Sequence, residues 1–542
     1  MIKKDAISIN HQDNGYKIII WTIIGIGIAL RLFHYFNDRS LWEDEIYLST
    51  GIAKLSLSGL IHQSLDFQQK APIGYLLIIK ICTLLFGNNE MSLRLFPLLC
   101  GIGSLLLFLP VARFFLKPAG VIVSLTILAF APPLVYHAVE AKQYCTELFA
   151  TIILLYTYTL YQDKKDLRSL IIWGIWGAVI AWFSYSSVFI LAGMAYVLSL
   201  YYLKEKQWST LIKLAIPFVL WFGSFAVNYM IFTQKSAHTG WLVYFFIKHD
   251  AFLPLSGAAL PWLLHKLFAF YNYPLGFSWF ISYHNIGLQI LQRMAWVPLI
   301  FTITGVYYLF KRNKRLLLLI GSTFLIVFVA SAIKLYPFHE RLTVFLAPLF
   351  ILLIAAGCQF LFRRDTKNVV QYILVALLLF GPVMNSIAQV TNTGLFGDYK
   401  KAYHREAFDY LNKHYQSGDI VYVCWNDLPA YDFYKMIDSM RFKAIEGTDY
   451  RYISHNFTEY FSKLNNEFKP FEGKKRVWIL HNNNFDIEIG DYIGHPEWYY
   501  VKDDGVKRLD NWLATKGKVL EEFKVDNGGV SNVRVALMDF SK

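Results

Sequence analysis

Eleven apolar runs of 17 to 25 residues recur between residues 17 and 390, and nothing else in the chain constrains its fold as strongly. They lie at 17–36, 93–113, 119–136, 145–161, 169–185, 187–203, 208–232, 286–310, 316–336, 341–361 and 369–390. A helix of that length covers roughly 30 Å of hydrocarbon at about 1.5 Å per residue. A water-soluble chain of 542 residues would divide into domains joined by polar linkers, whereas this one is 55% hydrophobic and 17% charged. The expected class is a polytopic α-helical membrane protein.

The net charge of +13 would suggest a nucleic-acid partner in a soluble protein. Here the basic residues cluster in the short connections instead: Lys3, Lys4 and Lys17, then Arg113 and Lys117, Lys164, Lys165 and Arg168, Lys204 and Lys206, "KRNKR" at 311–315 and "FRRDTK" at 362–367. With eleven spans all of these fall on one side, which the positive-inside rule makes cytoplasmic. No nucleic acid is expected. The first run has a long apolar core and no small-x-small cleavage site, so it reads as a retained span. The five cysteines form no CxxC pair and indicate neither a disulfide framework nor a metal site.

Segment 71–87, "APIGYLLIIKICTLLFG", is apolar enough to be a twelfth span. If it crossed, every later basic loop would change sides. The charge pattern therefore makes it an interfacial or re-entrant helix in the first outer loop, in keeping with its short length and interior Lys80. "RSLWEDEIYLSTG", "YHAVEAKQY" (136–144), "SYSS" (184–187), the loop 233–285, "PFHER" (337–341) and everything after about residue 391 then share the outer face. From 391 the composition shifts. Helical periodicity in "KKAYHREAFDYLNKHYQSGD" and alternation in "IVYVC", "RVWIL" and "VRVALMDF" predict a small extracytoplasmic α/β domain over 391–542, after a membrane domain over 1–390.

The outer-face segments carry the candidate chemistry. Asp44 and Glu45 are neighbours, and neighbouring helix positions point about 100° apart, so one acid would react while the other orients a polar side chain, a metal or the backbone. Lys70, just before Pro72, stands at the start of the interfacial helix, either neutralising a lipid phosphate or snorkelling. Glu140, Lys142, Tyr144 and Glu147 mark the turn between two spans. Glu140 and Glu147 would share a face if that turn were helical, as a phosphate or sugar site or as an interhelical salt bridge. Arg341 opens a span on the outer face beside His339 and Glu340, and its forked donors suit phosphate oxygens.

Leu41-Trp42-Glu43-Asp44-Glu45, Lys70-Ala71-Pro72, "FGNNEMSLRL" (86–95), "EAKQY", and Pro337 with Arg341 together resemble the GT-C superfamily of integral-membrane glycosyltransferases. Within it the likeness is to glycosyltransferase family 39, the bacterial relatives of protein O-mannosyltransferases and lipid A aminoarabinose transferases, over residues ~17–390. The resemblance implies a polyprenyl-phosphate sugar donor, an extracytoplasmic lipid, protein or glycan acceptor, and inversion at the anomeric carbon. It implies Asp44 as general base with Glu45 in support, and Lys70, Arg341 and Lys142 (with Arg94 as a further candidate) on the donor phosphate. Gln69, Glu140, Tyr144, Glu147 and His339 are expected to line the substrate site. No cofactor is expected to be required, although a divalent metal stays open, and the expected location is the inner membrane with a cytoplasmic N-terminus. Two other classes compete. A flippase of lipid-linked sugars would show paired repeats, which the sequence lacks. A glycan-binding scaffold would leave the acid pair dispensable.

Overall fold

The computed structural model describes residues 14–233, 240–278, 290, 294–361, 369–397, 402–482, 498–499, 505–525 and 533–541. Each of the eleven apolar runs meets a helix. In chain order the helices are α1 (Asn14–Phe36), α2 (Glu43–Lys54), α3 (Leu57–His62), α4 (Ile73–Phe86), α5 (Glu90–Phe115), α6 (Pro118–Phe130), α7 (Pro132–His137) and α8 (Tyr144–Tyr161). They continue with α9 (Leu167–Ile180), α10 (Ser187–Lys204), α11 (Trp208–Asn228), α12 (Gly240–Lys248), α13 (Ala259–Asn272), α14 (Trp296–Arg312), α15 (Lys314–Ala332), α16 (Ala347–Leu361) and α17 (Val369–Thr391). The first part of the 286–310 run lies largely outside the described residues.

Among the described residues seven helices are long and apolar enough to cross a membrane: Asn14–Phe36, Glu90–Phe115, Ser187–Lys204, Trp208–Phe232, Lys314–Ala332, Glu340–Leu361 and Val369–Thr391. The expected run 119–136 is two helices rather than one, because Pro132 and Pro133 open α7 and their missing N–H groups end α6. Helix α4 has 14 residues, a length of about 21 Å, matched by α9 with 14 and α6 with 13. Its first turn donates the Gly74 N–H to Trp182 O at 2.9 Å, and Lys80 is buried by donating to Ile52 O at 2.9 Å and Ala53 O at 3.3 Å.

Two features show how polar and small residues are accommodated inside the helical bundle. Arg31 sits within α1 at 0% exposure and donates to the carbonyls of Gly27, Leu128 and Ala129, so its charge is spent on backbone oxygens of α1 and α6. Helices α14 and α16 meet backbone to backbone at Gly305 and Gly357. A Cβ on Gly357 would lie 2.0 Å from Phe301 O, and one on Gly305 2.2 Å from Leu353 O. Small residues at a helix crossing let dispersion contacts replace the hydrophobic drive that lipid cannot supply.

The C-terminal part folds as the alternation predicts, with additions. A five-stranded sheet has the order β2-β1-β3-β5-β4, from β1 (Ile420–Val423), β2 (Ile445–Glu446), β3 (Val477–Asn482), β4 (Lys518–Lys524) and β5 (Val533–Asp539). Strands β1, β2 and β3 run parallel, and β5 joins β3 and β4 antiparallel. Every residue of β3 is buried, as its apolar run requires for the central strand. Helices α18 (His404–His414), α19 (Leu428–Ile437), α20 (Phe457–Phe468) and α21 (Gly505–Lys516) cover the sheet. Asn456, whose "HNFT" context resembles a glycosylation sequon, caps α20 by accepting the Glu459 N–H at 2.9 Å. One apolar cluster joins this unit to the segment after α1: Leu41, Ile46, Leu48 and Ile52 pack with Phe408, Ala430, Tyr431, Phe433 and Tyr434.

Candidate active site

Three consecutive acids open α2, and the helical turn sends each to a different neighbour. Acids in a first turn are favoured by the helix dipole, which explains why the helix starts here. The side chains of Asp44 and Glu45 are 5% and 0% exposed.

Glu43 turns toward the C-terminal unit. It accepts the Tyr47 hydroxyl at 2.9 Å and lines a small cleft with His404, Asn426 and Asp427. Burial pushes its carboxyl up to about 7, with Tyr47 and His404 pulling it down and Asp427 and Asp44 pushing it up. Because the folded value lies above the ordinary one, folding is most stable where Glu43 is protonated, and stability falls as pH rises from about 4.5 through about 7. The rise from 4.5 to about 7 corresponds to about 3 kcal/mol. Glu43→Gln should therefore match wild type near pH 5 and gain several degrees of thermal stability over it near pH 8.5. Parallel unfolding curves at the two pH values would contradict this.

Asp44 faces the other way, onto two cations. Lys142 Nζ donates to Oδ1 at 3.0 Å and Arg341 Nη1 to Oδ2 at 2.5 Å. Lys142 also donates to Gln69 Oε1 at 2.7 Å. Burial lowers the Lys142 ammonium, and the Asp44 carboxylate only partly restores it. The Arg341 guanidinium lies over the rings of Trp42 and Tyr144, 5.5 and 5.6 Å from their centroids. One carboxylate thus faces two cations, and the Glu140 carboxylate, which accepts Trp42 Nε1, acts on the same two.

Glu45 is an anchor. It accepts Arg94 Nε at 3.1 Å and Nη2 at 3.0 Å, Arg39 Nη1 at 2.8 Å, and the backbone N–H groups of Trp42 at 3.3 Å and Ala141 at 2.7 Å. It ties the start of α2 to α5 and to the 138–143 turn. This is the orienting role that the 100° separation assigns to one of the two acids.

Residues 138–143 form turns, not helix, so the shared face expected of Glu140 and Glu147 does not form. Glu140 accepts Trp42 Nε1 at 3.2 Å and pairs with His137 Nδ1 at 2.6 Å, and the far side of that ring meets the Tyr273 hydroxyl. Burial alone would raise Glu140, but His137, Arg341 and Arg39 hold it below the usual carboxylate range. Glu147 accepts the Ser184 hydroxyl at 2.5 Å, the Ser186 hydroxyl, and the Tyr185 and Ser186 N–H groups at 3.1 Å each. It fastens α8 to the 184–187 turn and takes no part in the contacts around Asp44.

Lys70 is half-buried beside Gln69, and burial draws its ammonium down to about 8. His339 packs against His249 and Phe246, 5.7 and 5.9 Å between ring centroids, and burial draws it down to about 4, so it is neutral at pH 7. The structure thus gathers Asp44, Lys142, Arg341, Gln69, Tyr144 and, through Trp42, Glu140. Arg39 and His137 lie in the segments "RSLWEDEIYLSTG" and "YHAVEAKQY", but sequence reasoning does not single them out as site residues, and Tyr273 comes from the aromatic-rich 233–285 loop. Among the described residues no group of three or more His, Cys, Asp or Glu side chains is arranged to hold a metal.

Comparison with known proteins agrees with this architecture. Residues 70–233 match the family described as dolichyl-phosphate-mannose-protein mannosyltransferase. The fold matches the crystal structure of ArnT from Cupriavidus metallidurans bound to undecaprenyl phosphate, with TM-score 0.51 and 12% identity, over 97% of this chain and 98% of that one. It also matches the apo oligosaccharyltransferase of Archaeoglobus fulgidus, with TM-score 0.51 and 12% identity, over 96% of this chain and 74% of that one. No curated protein matches by sequence. The chain is a multi-pass membrane protein with the fold of GT-C glycosyltransferases, and it resembles family 39 among them.

Proposed function

We propose that the protein transfers a sugar from a polyprenyl phosphate to an acceptor on the outer face of the inner membrane, with inversion at the anomeric carbon. The observation that carries this reading is the pairing of one buried carboxylate, Asp44, with two cations from distant segments, Lys142 and Arg341. In the reaction an acceptor hydroxyl attacks the anomeric carbon, the bond from that carbon to the phosphate oxygen breaks, and the hydroxyl proton goes to Asp44. Polyprenyl phosphate departs with the bonding electrons. Fixed cations aimed at a leaving phosphate act where charge develops, which is usually the largest catalytic contribution.

The same pairing explains how a carboxylate between two cations is freed to act. Without donor, Lys142 and Arg341 both close on the Asp44 carboxylate. A phosphate entering beside them takes a share of both cations, and Asp44 is released toward the acceptor hydroxyl. Gln69 holds Lys142 from the segment that carries Lys70, and Tyr144 supplies a ring face for the sugar or for Arg341. The acceptor is a lipid, protein or glycan hydroxyl. The basic connections set the N-terminus in the cytoplasm and residues beyond 391 outside. Two side-chain cations serve the leaving group, so no step calls on a cofactor. The match of 70–233 to a mannosyltransferase family and the lipid phosphate named for ArnT support a lipid-phosphate donor.

The test is release of polyprenyl phosphate from a panel of polyprenyl-phosphate monosaccharides, in membranes that supply native acceptors. Arg341→Ala should lower donor kcat/KM by roughly 10²- to 10³-fold. Arg341→Lys should recover only part, since it lacks the planar fork. Unchanged donor kinetics in Arg341→Ala would remove Arg341 from the phosphate. Undiminished lipid translocation by a protein that never breaks the sugar–phosphate bond would favour a flippase.

A further inference from the structure

A catalytic carboxylate is only as well placed as the backbone that leads to it. Six residues, 37–42, connect α1 to α2, and they are gripped from the C-terminal unit. Arg405, at the start of α18, donates Nη1 to Asp38 Oδ2 at 2.9 Å and to Glu90, and donates Nη2 to the Asp38 carbonyl. Its backbone N–H donates to Ser40 Oγ at 3.2 Å. Tyr434, on α19, is fully buried. Its hydroxyl bonds Glu90 Oε1, accepts the Leu41 N–H at 3.1 Å and lies 3.2 Å from Ser40 Oγ. Leu41 N–H also reaches Glu90 Oε1 at 3.1 Å.

This node is polar and built around backbone groups of the loop, with a buried centre and a part-exposed edge at Arg405 and Asp38. Ser40, Leu41 and Glu90 are 1%, 0% and 3% exposed. Buried polar groups of this kind hold geometry because the alternative is an unsatisfied donor or acceptor. The apolar cluster of Leu41 and Ile46 with Phe433 and Tyr434 would bring the two units together without fixing the loop's angle. The hydrogen bonds of Arg405 and Tyr434 fix it. Asp44 follows Leu41 by three residues, on the helix whose first turn this loop sets.

We propose that the C-terminal unit completes the active centre, with Arg405 and Tyr434 as positioning residues that hold the 37–42 loop and through it the Asp44 carboxylate. The proposal rests on Asp44 as the base. Neither residue touches the donor cations, so their loss should spare donor binding and slow the chemical step. A displacement near 1 Å at a reacting group costs on the order of 10²-fold in rate.

The experiment uses full-length protein in nanodiscs, with Tyr434→Phe, Arg405→Ala and Arg405→Lys. Tyr434→Phe removes one oxygen and keeps the ring in its apolar seat, so it isolates the hydrogen bonds from folding. Expected are faster hydrogen exchange in peptides covering residues 37–54, a kcat lowered roughly 10- to 100-fold, and a donor KM within about twofold of wild type. Arg405→Lys should recover part of the kcat lost in Arg405→Ala. Unchanged loop exchange in Tyr434→Phe overturns the anchoring, and an unchanged kcat, or a loss lying wholly in donor KM, overturns the positioning role. If wild type itself breaks no sugar–phosphate bond, the proposed function fails, and the exchange comparison still decides whether these residues hold the loop.

Discussion

Asp44→Asn should lower sugar transfer by at least about 10³-fold while the protein remains folded and in the membrane. General-base catalysis contributes about 10²- to 10⁴-fold, and an amide cannot accept the proton. The variant should also hold a lipid phosphate more tightly than wild type does. In wild type the phosphate competes with Asp44 for Lys142 Nζ and Arg341 Nη1, which lie 3.0 and 2.5 Å from the carboxylate oxygens. Neutralising Asp44 removes that competitor and leaves buried Lys142 and part-exposed Arg341 open to an incoming anion. Turnover and affinity should therefore move in opposite directions, a pattern that simple misfolding does not produce. Polyprenyl phosphate binding and single-turnover release, measured on the same preparation, check both halves. A variant with full turnover, or one that loses phosphate affinity along with activity, would show that Asp44 is not the base.

The largest stability effect should come from the neighbouring acid. Glu45→Ala removes the carboxylate that Arg39 and Arg94 share, and the Arg94 side chain is only 2% exposed. Breaking a buried pair from one side costs about 3–5 kcal/mol, because the remaining charge keeps its desolvation penalty without its partner. Here two arginines and two backbone N–H groups, of Trp42 and Ala141, lose their acceptor together. Thermal unfolding in detergent should fall by many degrees, and activity should be lost with the fold. The contrast with Asp44→Asn is diagnostic, since the proposed mechanism gives chemistry to one acid and structure to the other. Near-wild-type stability in Glu45→Ala would refute the anchoring role.

The membrane helices were legible because hydrocarbon imposes one simple demand, and among the described residues seven helices meet it by length and composition. The meeting of Asp44, Lys142 and Arg341 was legible indirectly. Counting basic clusters put "WEDE", "EAKQY" and "PFHER" on one face, and the structure joins them there. What lay beyond the sequence was the partner of each polar group. Glu45 meets Arg94 across 49 residues and Ala141 across 96, and no local spacing encodes such a pairing. Glu147 looked like a companion of Glu140 only while 138–143 could be imagined as helix; in the folded chain it serves Ser184 and Ser186 instead. Arg31 reads as a charge inside a span, and only the structure shows three carbonyls absorbing it. The grip of Arg405 and Tyr434 on the 37–42 loop crosses more than 360 residues, between segments whose periodicity speaks only of separate elements.

The central idea is that a lipid-borne phosphate and Asp44 share the same two cations. The most direct measurement is density for a polyprenyl phosphate bound to the intact protein. The phosphoryl group is predicted to lie within hydrogen-bond distance of both Lys142 Nζ and Arg341, with Asp44 facing the site of the sugar. A phosphate bound elsewhere, with Lys142 and Arg341 still closed on Asp44, would contradict it.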